Sequence, residues 1–203
     1  MIGQIDKRLE RLIFFSDGVI AIAITLLVIE IKIPHFEKDD PTFALDALNG
    51  LSPSFFGFVL SFLVIGRFWS GHSAALSDMV KYDPRLSRPN LLFLMAIALM
   101  PFATAFMTHN IGQLVPTLFY NATLLVTALL SFWVIRIATD RSSSCSIHDP
   151  DEVSALRFRA VLAIVGCLLA VALAFVAPSY SQVPLIPLLV WERFQWVWKR
   201  KSS

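Results

Sequence analysis

The chain has 203 residues, of which 56% are hydrophobic and 16% charged, with a net charge of +2 at neutral pH. Soluble domains stand nearer about 45–50% apolar and about 25% charged. So small a positive balance, broken up by apolar blocks, gives no basic stripe for nucleic acid. The two cysteines, Cys145 in a polar stretch and Cys167 in an apolar block, cannot make a disulfide framework and are given no redox or metal role.

The apolar residues gather in blocks of roughly 20, the length that crosses a hydrocarbon core about 30 Å thick. The first block, 11–33, reads RLIFFSDGVIAIAITLLVIEIKI and follows Lys7 and Arg8. It is too long for a signal-peptide core, contains Asp17 and has no small-residue cleavage site after it, so a retained span is expected. Further spans are expected at 53–76, 90–108, 115–137 and 158–177. A sixth, 183–198, is the weakest: Pro184 and Pro187 lie in its first turns, and Glu192 and Arg193 interrupt it. The stretch HFEKDDPTFALDALNG reads as an acidic polar linker, and ATDRSSSCSIHDPDEVSALR as the longest loop. The expected fold class is all-α: a polytopic integral membrane protein forming one six-helix transmembrane domain over residues 1–203.

Lysine and arginine set the orientation. With the N-terminus inside, 15 of the 17 basic residues fall on the inner side and only Lys32 and Lys38 on the outer. A five-span chain would put the final WKRK outside, so six spans are expected, with both termini cytoplasmic and the chain in the inner membrane of a bacterial cell. Tyr120, Trp133, Trp191 and Trp198 suit interfacial anchors or core positions equally.

Ionisable residues inside spans carry the chemistry. Asp17 lies about 9 Å deeper than Arg11 at 1.5 Å per residue. It reads either as a functional carboxylate facing protein or water, or as a helix-end group reaching the inner surface beside Arg11. The run GRFWSGHS in the second span brings Arg67, Trp69, Ser70 and His72 to a similar depth, and Asn90 opens the third span there. A buried hydrogen-bond network with Ser16 and Asp17 is favoured over a merely interfacial placing, because three helices supply complementary partners at one level. Ile22, Leu26 and Ile29 share one face of the first span, with Thr25 beside them. Spacing alone makes that stripe lipid-facing or packed core; around an oligomeric axis the same residues would form apolar rings able to gate water. Asn121-Ala122-Thr123 matches a glycosylation acceptor but lies within a span. The acidic residues Glu37, Asp39, Asp40 and Asp46 suit a solvated loop or a cation-concentrating mouth. No nucleophile–base or metal constellation appears, so no catalytic residue, metal or cofactor is expected.

The run from Arg11 to Ile31 resembles the transmembrane-protein-175 family of lysosomal and prokaryotic potassium channels. Its Arg-x-x-x-Phe-Ser-Asp hallmark is present as Arg11, Phe15, Ser16 and Asp17. LSFLVIGRFWSGH, with Trp69 and His72, and RPNLLFLMAIALMPFATAF, with Asn90 and Pro101, extend the resemblance over the first half of the chain. The resemblance implies a homotetramer of six-span subunits whose first helices line a potassium pore. It assigns Arg11, Phe15, Ser16, Asp17, Trp69, His72 and Asn90 to a structural polar network, Ile22 to the narrowest hydrophobic ring, Leu26 and Ile29 to further layers, and Thr25 to selectivity. The sixth span departs from the family at Glu192 and Arg193. The expected function is thus a potassium-permeable cation channel with a hydrophobic gate. Its partners are the lipid bilayer, other copies of the chain and permeant potassium, without nucleic acid. The alternative is a proton- or ion-coupled secondary transporter titrating Asp17 and His72, a reading weakened by the lack of repeat-related broken helices.

Overall fold

Asp6 starts the first helix, α1 (Lys7–Ile29), by accepting a hydrogen bond from the Arg8 amide at 2.9 Å. Its second carboxylate oxygen accepts from the Tyr82 amide at 3.2 Å, so the cap also fastens α1 to the segment after the next long helix. These two amide donors hold the Asp6 carboxyl below its usual range. In this computed structural model the described residues are 6–32, 41–77, 79–140 and 149–187, with side chains in α2 described from Leu45 onward.

α1 ends at Ile29, with Glu30 as its C-cap. The helix therefore stops short of the expected boundary at 33, which itself lies outside the described residues. The stretch expected as a plain acidic linker contains a short helix, α2 (Pro41–Gly50). Proline at its first position is preorganised for a helix, while ten residues are too few to appear as a hydropathy block. α3 (Ser52–Ser77) follows, then a 3-10 turn (Pro84–Leu86), α4 (Ser87–Thr108) and α5 (Leu114–Ala138).

α6 (Pro150–Ala174) begins eight residues before the expected 158. Asp149 caps it by accepting from the Asp151 amide at 3.1 Å, Pro150 is at its first turn, and Asp151 and Glu152 complement the positive helix end. Hydropathy registers only the apolar run that comes later. Two 3-10 turns, Pro178–Tyr180 and Val183–Leu185, lead to Pro187. Beyond 187 the expected sixth span lies outside the described residues. Among the described residues, five helices are long and apolar enough to cross a membrane: Lys7–Ile29, Ser52–Ser77, Pro84–Thr108, Leu114–Ala138 and Pro150–Ala174.

α4 and α5 form the centre. α1 packs on α3 and α4, α6 packs on α5 and α3, and the 183–185 turn lies against α6. Only 22% of the α1 span is buried within the subunit, against 56% of the α4 span, so α1 is a flank of the bundle. The core is built from Ile20, Leu27, Ile65, Phe93, Ile97, Met100 and Leu124. At the α3–α4 crossing Gly57 permits close approach, since a Cβ there would overlap the Thr108 methyl. Near the ends of the helices, Arg85 bonds Asp83 at 2.8 Å and reaches Asp140 at 3.3 Å, while Arg157 bonds the Thr139 carbonyl at 2.8 Å and its hydroxyl at 3.0 Å. The Arg157 contact meets a carbonyl that the end of α5 would otherwise leave open.

Candidate permeation helix and its polar anchor

α1 has two faces with different neighbours. Leu9, Ser16, Ile20, Ala23 and Leu27 recur at sevens, fours and threes and are buried against α3 and α4. About 140° around the helix, Arg11, Phe15, Ile22, Thr25, Leu26 and Ile29 form a second stripe that the subunit leaves open. Ile22 is 60% exposed and Ile29 69%, values far from those of core isoleucines.

The buried face is fixed by a directed chain of hydrogen bonds. Ser16 Oγ donates to the Leu12 carbonyl at 2.8 Å. Asn90 Nδ2 on α4 donates to Ser16 Oγ at 2.9 Å. Asn90 Oδ1 therefore faces His72 Nε2 on α3, 2.7 Å away, as an acceptor, which makes Nε2 the protonated nitrogen of that ring. Ser16, His72 and Asn90 are all buried, and the His72 ring stacks on Phe93 at 5.3 Å. Asp17, one residue on, points elsewhere: its Oδ1 accepts from Trp69 Nε1 at 2.9 Å on a more exposed flank. Two separate ties thus join α1 to α3, one dry and bridged by α4, the other partly open.

Of the residues expected in one network, Ser16, His72 and Asn90 form the dry chain and Asp17 and Trp69 the outer pair. Arg11 and Phe15 stand instead on the open face with Ile22. Arg67 lines a cavity bounded by α5 and α6, on another side of α3. Depth along a helix sets the level of a side chain and not its direction; position 67 is about 200° around from position 69.

A second directed chain was not read from the sequence. Thr104 Oγ1 donates to the Met100 carbonyl at 2.8 Å, so it accepts from Ser61 Oγ at 2.8 Å, and Ser61 accepts from Tyr120 at 3.0 Å. This ties α3, α4 and α5 together and makes Tyr120 a fully buried core residue. A third cluster joins Asn121 Nδ2 to the Ala170 carbonyl at 2.9 Å, with Gln182 Nε2 3.5 Å from Asn121 Oδ1. The asparagine of the acceptor-like triplet is therefore buried packing, inaccessible to modification. Among the described residues, no group of three or more His, Cys, Asp or Glu side chains is placed to hold a metal ion.

Residues 11–101, which hold most of α1, all of α2 and α3 and most of α4, match the family described as Endosomal/lysosomal potassium channel TMEM175. A potassium channel of Streptomyces collinus is 36% identical over 169 residues, covering 80% of this chain and 81% of its own. The chain belongs to the TMEM175 family. This family is one of channels and not of enzymes. The crystal structure of a lysosomal potassium-selective channel TMEM175 homolog from Chamaesiphon minutus superposes with a TM-score of 0.80 at 28% identity, covering 94% of this chain and 98% of that one. An endosomal/lysosomal proton channel TMEM175 of Gallus gallus is 32% identical over 100 residues, which is 46% of this chain and 20% of its own. The TMEM175 resemblance and the directed Ser16–Asn90–His72 chain involve the same three helices.

Proposed function

We propose that this chain is the subunit of a potassium-permeable cation channel, a homotetramer of single six-span domains (1–203) in a bacterial inner membrane, with both termini cytoplasmic. The observation that carries this reading is the division of α1: one face is locked by buried hydrogen bonds, while the opposite face, apolar and regular, is left open along its length. A lipid-facing helix has no need of a specific dry anchor, whereas a helix lining an axis between copies must hold its rotation. Around a four-fold axis the open stripe stacks as rings. Ile22 forms the tightest, and Leu26 and Ile29 add apolar layers that exclude water and so gate ions by dewetting. The spans are those at 11–33, 53–76, 90–108, 115–137, 158–177 and 183–198, adjusted to the helix ends given above.

Thr25 is suited to selectivity for a chemical reason. Its hydroxyl hydrogen is committed to the Ile22 carbonyl at 2.9 Å, which turns the oxygen lone pairs outward as cation acceptors. The permeant potassium ion needs no cofactor. The transporter reading requires Asp17 and His72 to act as a titrating couple, yet they bond different partners, Trp69 and Asn90. Purified protein in liposomes decides the matter. Unitary currents that reverse according to the potassium gradient support the channel, and their reversal with a proton gradient instead would change the permeant ion. Slow flux without unitary events would overturn the channel reading.

A further inference from the structure

The N-terminal end of α1 is held by a contact that lies outside the polar anchor. Asp6 meets the segment between α3 and the 3-10 turn at two points. Its amide donates to the Val80 carbonyl at 3.4 Å, and its Oδ2 accepts from the Tyr82 amide at 3.2 Å. Oδ1 meanwhile caps α1 by accepting from the Arg8 amide at 2.9 Å. The cap and the tie therefore use different oxygens of one carboxylate, which the Arg8 and Tyr82 amides keep ionised at neutral pH.

The segment that supplies Tyr82 is itself braced. Met79, Asp83 and Leu86 are buried, and so is Leu9 in the first turn of α1. Asp83 accepts from the Arg85 amide at 2.9 Å and from its guanidinium at 2.8 Å, and Arg85 reaches on to Asp140, just past α5, at 3.3 Å. The Tyr82 amide is thus presented by a turn joined to the end of α5. Along α1, Asp6 and Ser16 are ten residues apart, about 15 Å, and Ile22 lies six residues beyond Ser16, about 9 Å. One hold fixes a point on a helix, and two fix its direction. With Ser16 as pivot, a shift at position 6 moves Ile22 the opposite way by about six-tenths of the distance.

We propose that Asp6 is a positioning residue for the gate: its tie to Tyr82 draws the start of α1 toward the subunit's own α3–α4 corner, and the lever through Ser16 carries Ile22 toward the axis, favouring the closed constriction. The inference rests on the reading of Ile22 as the narrowest ring. α1 packs on α3 and α4 through the face turned away from the open stripe, and the 79–86 segment joins those two helices, so the pull is directed away from the axis. Beyond the pivot, the buried residues Ile20, Ala23 and Leu27 are apolar, and their contacts carry no direction that would oppose a small tilt. Loss of the tie frees the start of α1 to swing toward the axis and Ile22 to move off it, so the ring wets more often.

The test is single-channel recording of the full chain in lipid bilayers. Asp6→Asn keeps one acceptor oxygen and caps a helix as well as aspartate does, but it turns an NH2 group toward the Tyr82 amide. Tyr82→Pro removes the same bond from the other side and leaves the cap, with Tyr82→Ala as the control that keeps the amide. Open probability should rise about threefold or more in Asp6→Asn and in Tyr82→Pro, the effect of one ordinary hydrogen bond on a two-state equilibrium. Unitary conductance and potassium-to-sodium preference should stay those of the wild type. The double variant should open no more often than the higher single, since both changes remove one bond. Wild-type open probability in both singles, with only Tm or yield lowered, would reduce Asp6 to a helix cap and overturn the proposal. So would a fall in open probability, additive effects, or an equal rise in Tyr82→Ala. Ile22→Asn recorded beside them separates the two claims. If it changes permeation while Asp6→Asn gates like the wild type, the positioning role alone is wrong. If it leaves permeation unchanged, the constriction reading fails and this inference fails with it.

Discussion

Replacing Asn90 with alanine removes the bridge between α1 and α3 without touching either helix. Two hydrogen bonds go, to Ser16 and to His72. In membranes each contributes about 0.6 kcal/mol on average. Ser16 keeps its bond to the Leu12 carbonyl, but the His72 Nε2–H, on a ring 2% exposed, is left with its donor unmet. An orphaned buried donor costs about 1–3 kcal/mol, so the total is roughly 2–4 kcal/mol per subunit. For a chain of this size that corresponds to a Tm loss of about 5–15 °C. Trp69→Phe is the matched control. It removes only the partly exposed bond to Asp17 and should cost about 0.6 kcal/mol, or roughly 2 °C. Melting of the purified protein in one detergent, followed by tryptophan fluorescence for Asn90→Ala and by light scattering for both, supplies the comparison. If Trp69→Phe melts as low as Asn90→Ala, the dry chain is not the main anchor of α1 and the reasoning fails.

Asp83 gives a pH prediction: the Arg85 guanidinium, its main partner, holds the Asp83 carboxyl below the ordinary 3.8, so its contribution is complete above that value and disappears as pH falls through the lowered one. The Tm difference between wild type and Asp83→Asn should therefore be constant near neutrality and close below about pH 4; a gap that widens in acid would show that the sign is wrong. Gly57→Ala should destabilise by about 1–3 kcal/mol through overlap with the Thr108 methyl, and adding Thr108→Ser, which deletes that methyl, should restore most of it. Equal melting of the single and double variants would place the strain elsewhere. A reporter after Ser203 that is active only in the periplasm would contradict cytoplasmic termini.

Much of this was legible because charge and polarity inside an apolar span are expensive and therefore informative. The common depth of Ser16, His72 and Asn90 in their spans is enough to group them from the sequence. Depth carries no direction around the helix, so the sequence puts Arg67 with Trp69 although Arg67 lines a cavity shared with α6. The Tyr120–Ser61–Thr104 chain left no trace, since a hydroxyl that bonds back to its own helix, as Thr104 does to Met100, costs little in a span. The α2 helix was hidden for lack of length, and the start of α6 because capping chemistry at Asp149 and Pro150 lies outside any hydropathy block. Family membership added what periodicity had left open, namely which of the two faces of α1 carries the proposed function.

If the open face of α1 lines an ion path, as proposed, single-channel recording of Ile22→Asn beside Ala23→Asn will show it. Ile22 is exposed on that face, whereas Ala23, about 100° around the helix, is buried. An asparagine ring at 22 keeps the constriction wettable, so conductance should rise and preference for potassium over sodium should fall. Ala23→Asn should disturb packing and expression while leaving the unitary conductance and ion preference of surviving channels unchanged. Wild-type permeation in Ile22→Asn, together with altered selectivity in Ala23→Asn, would contradict the account.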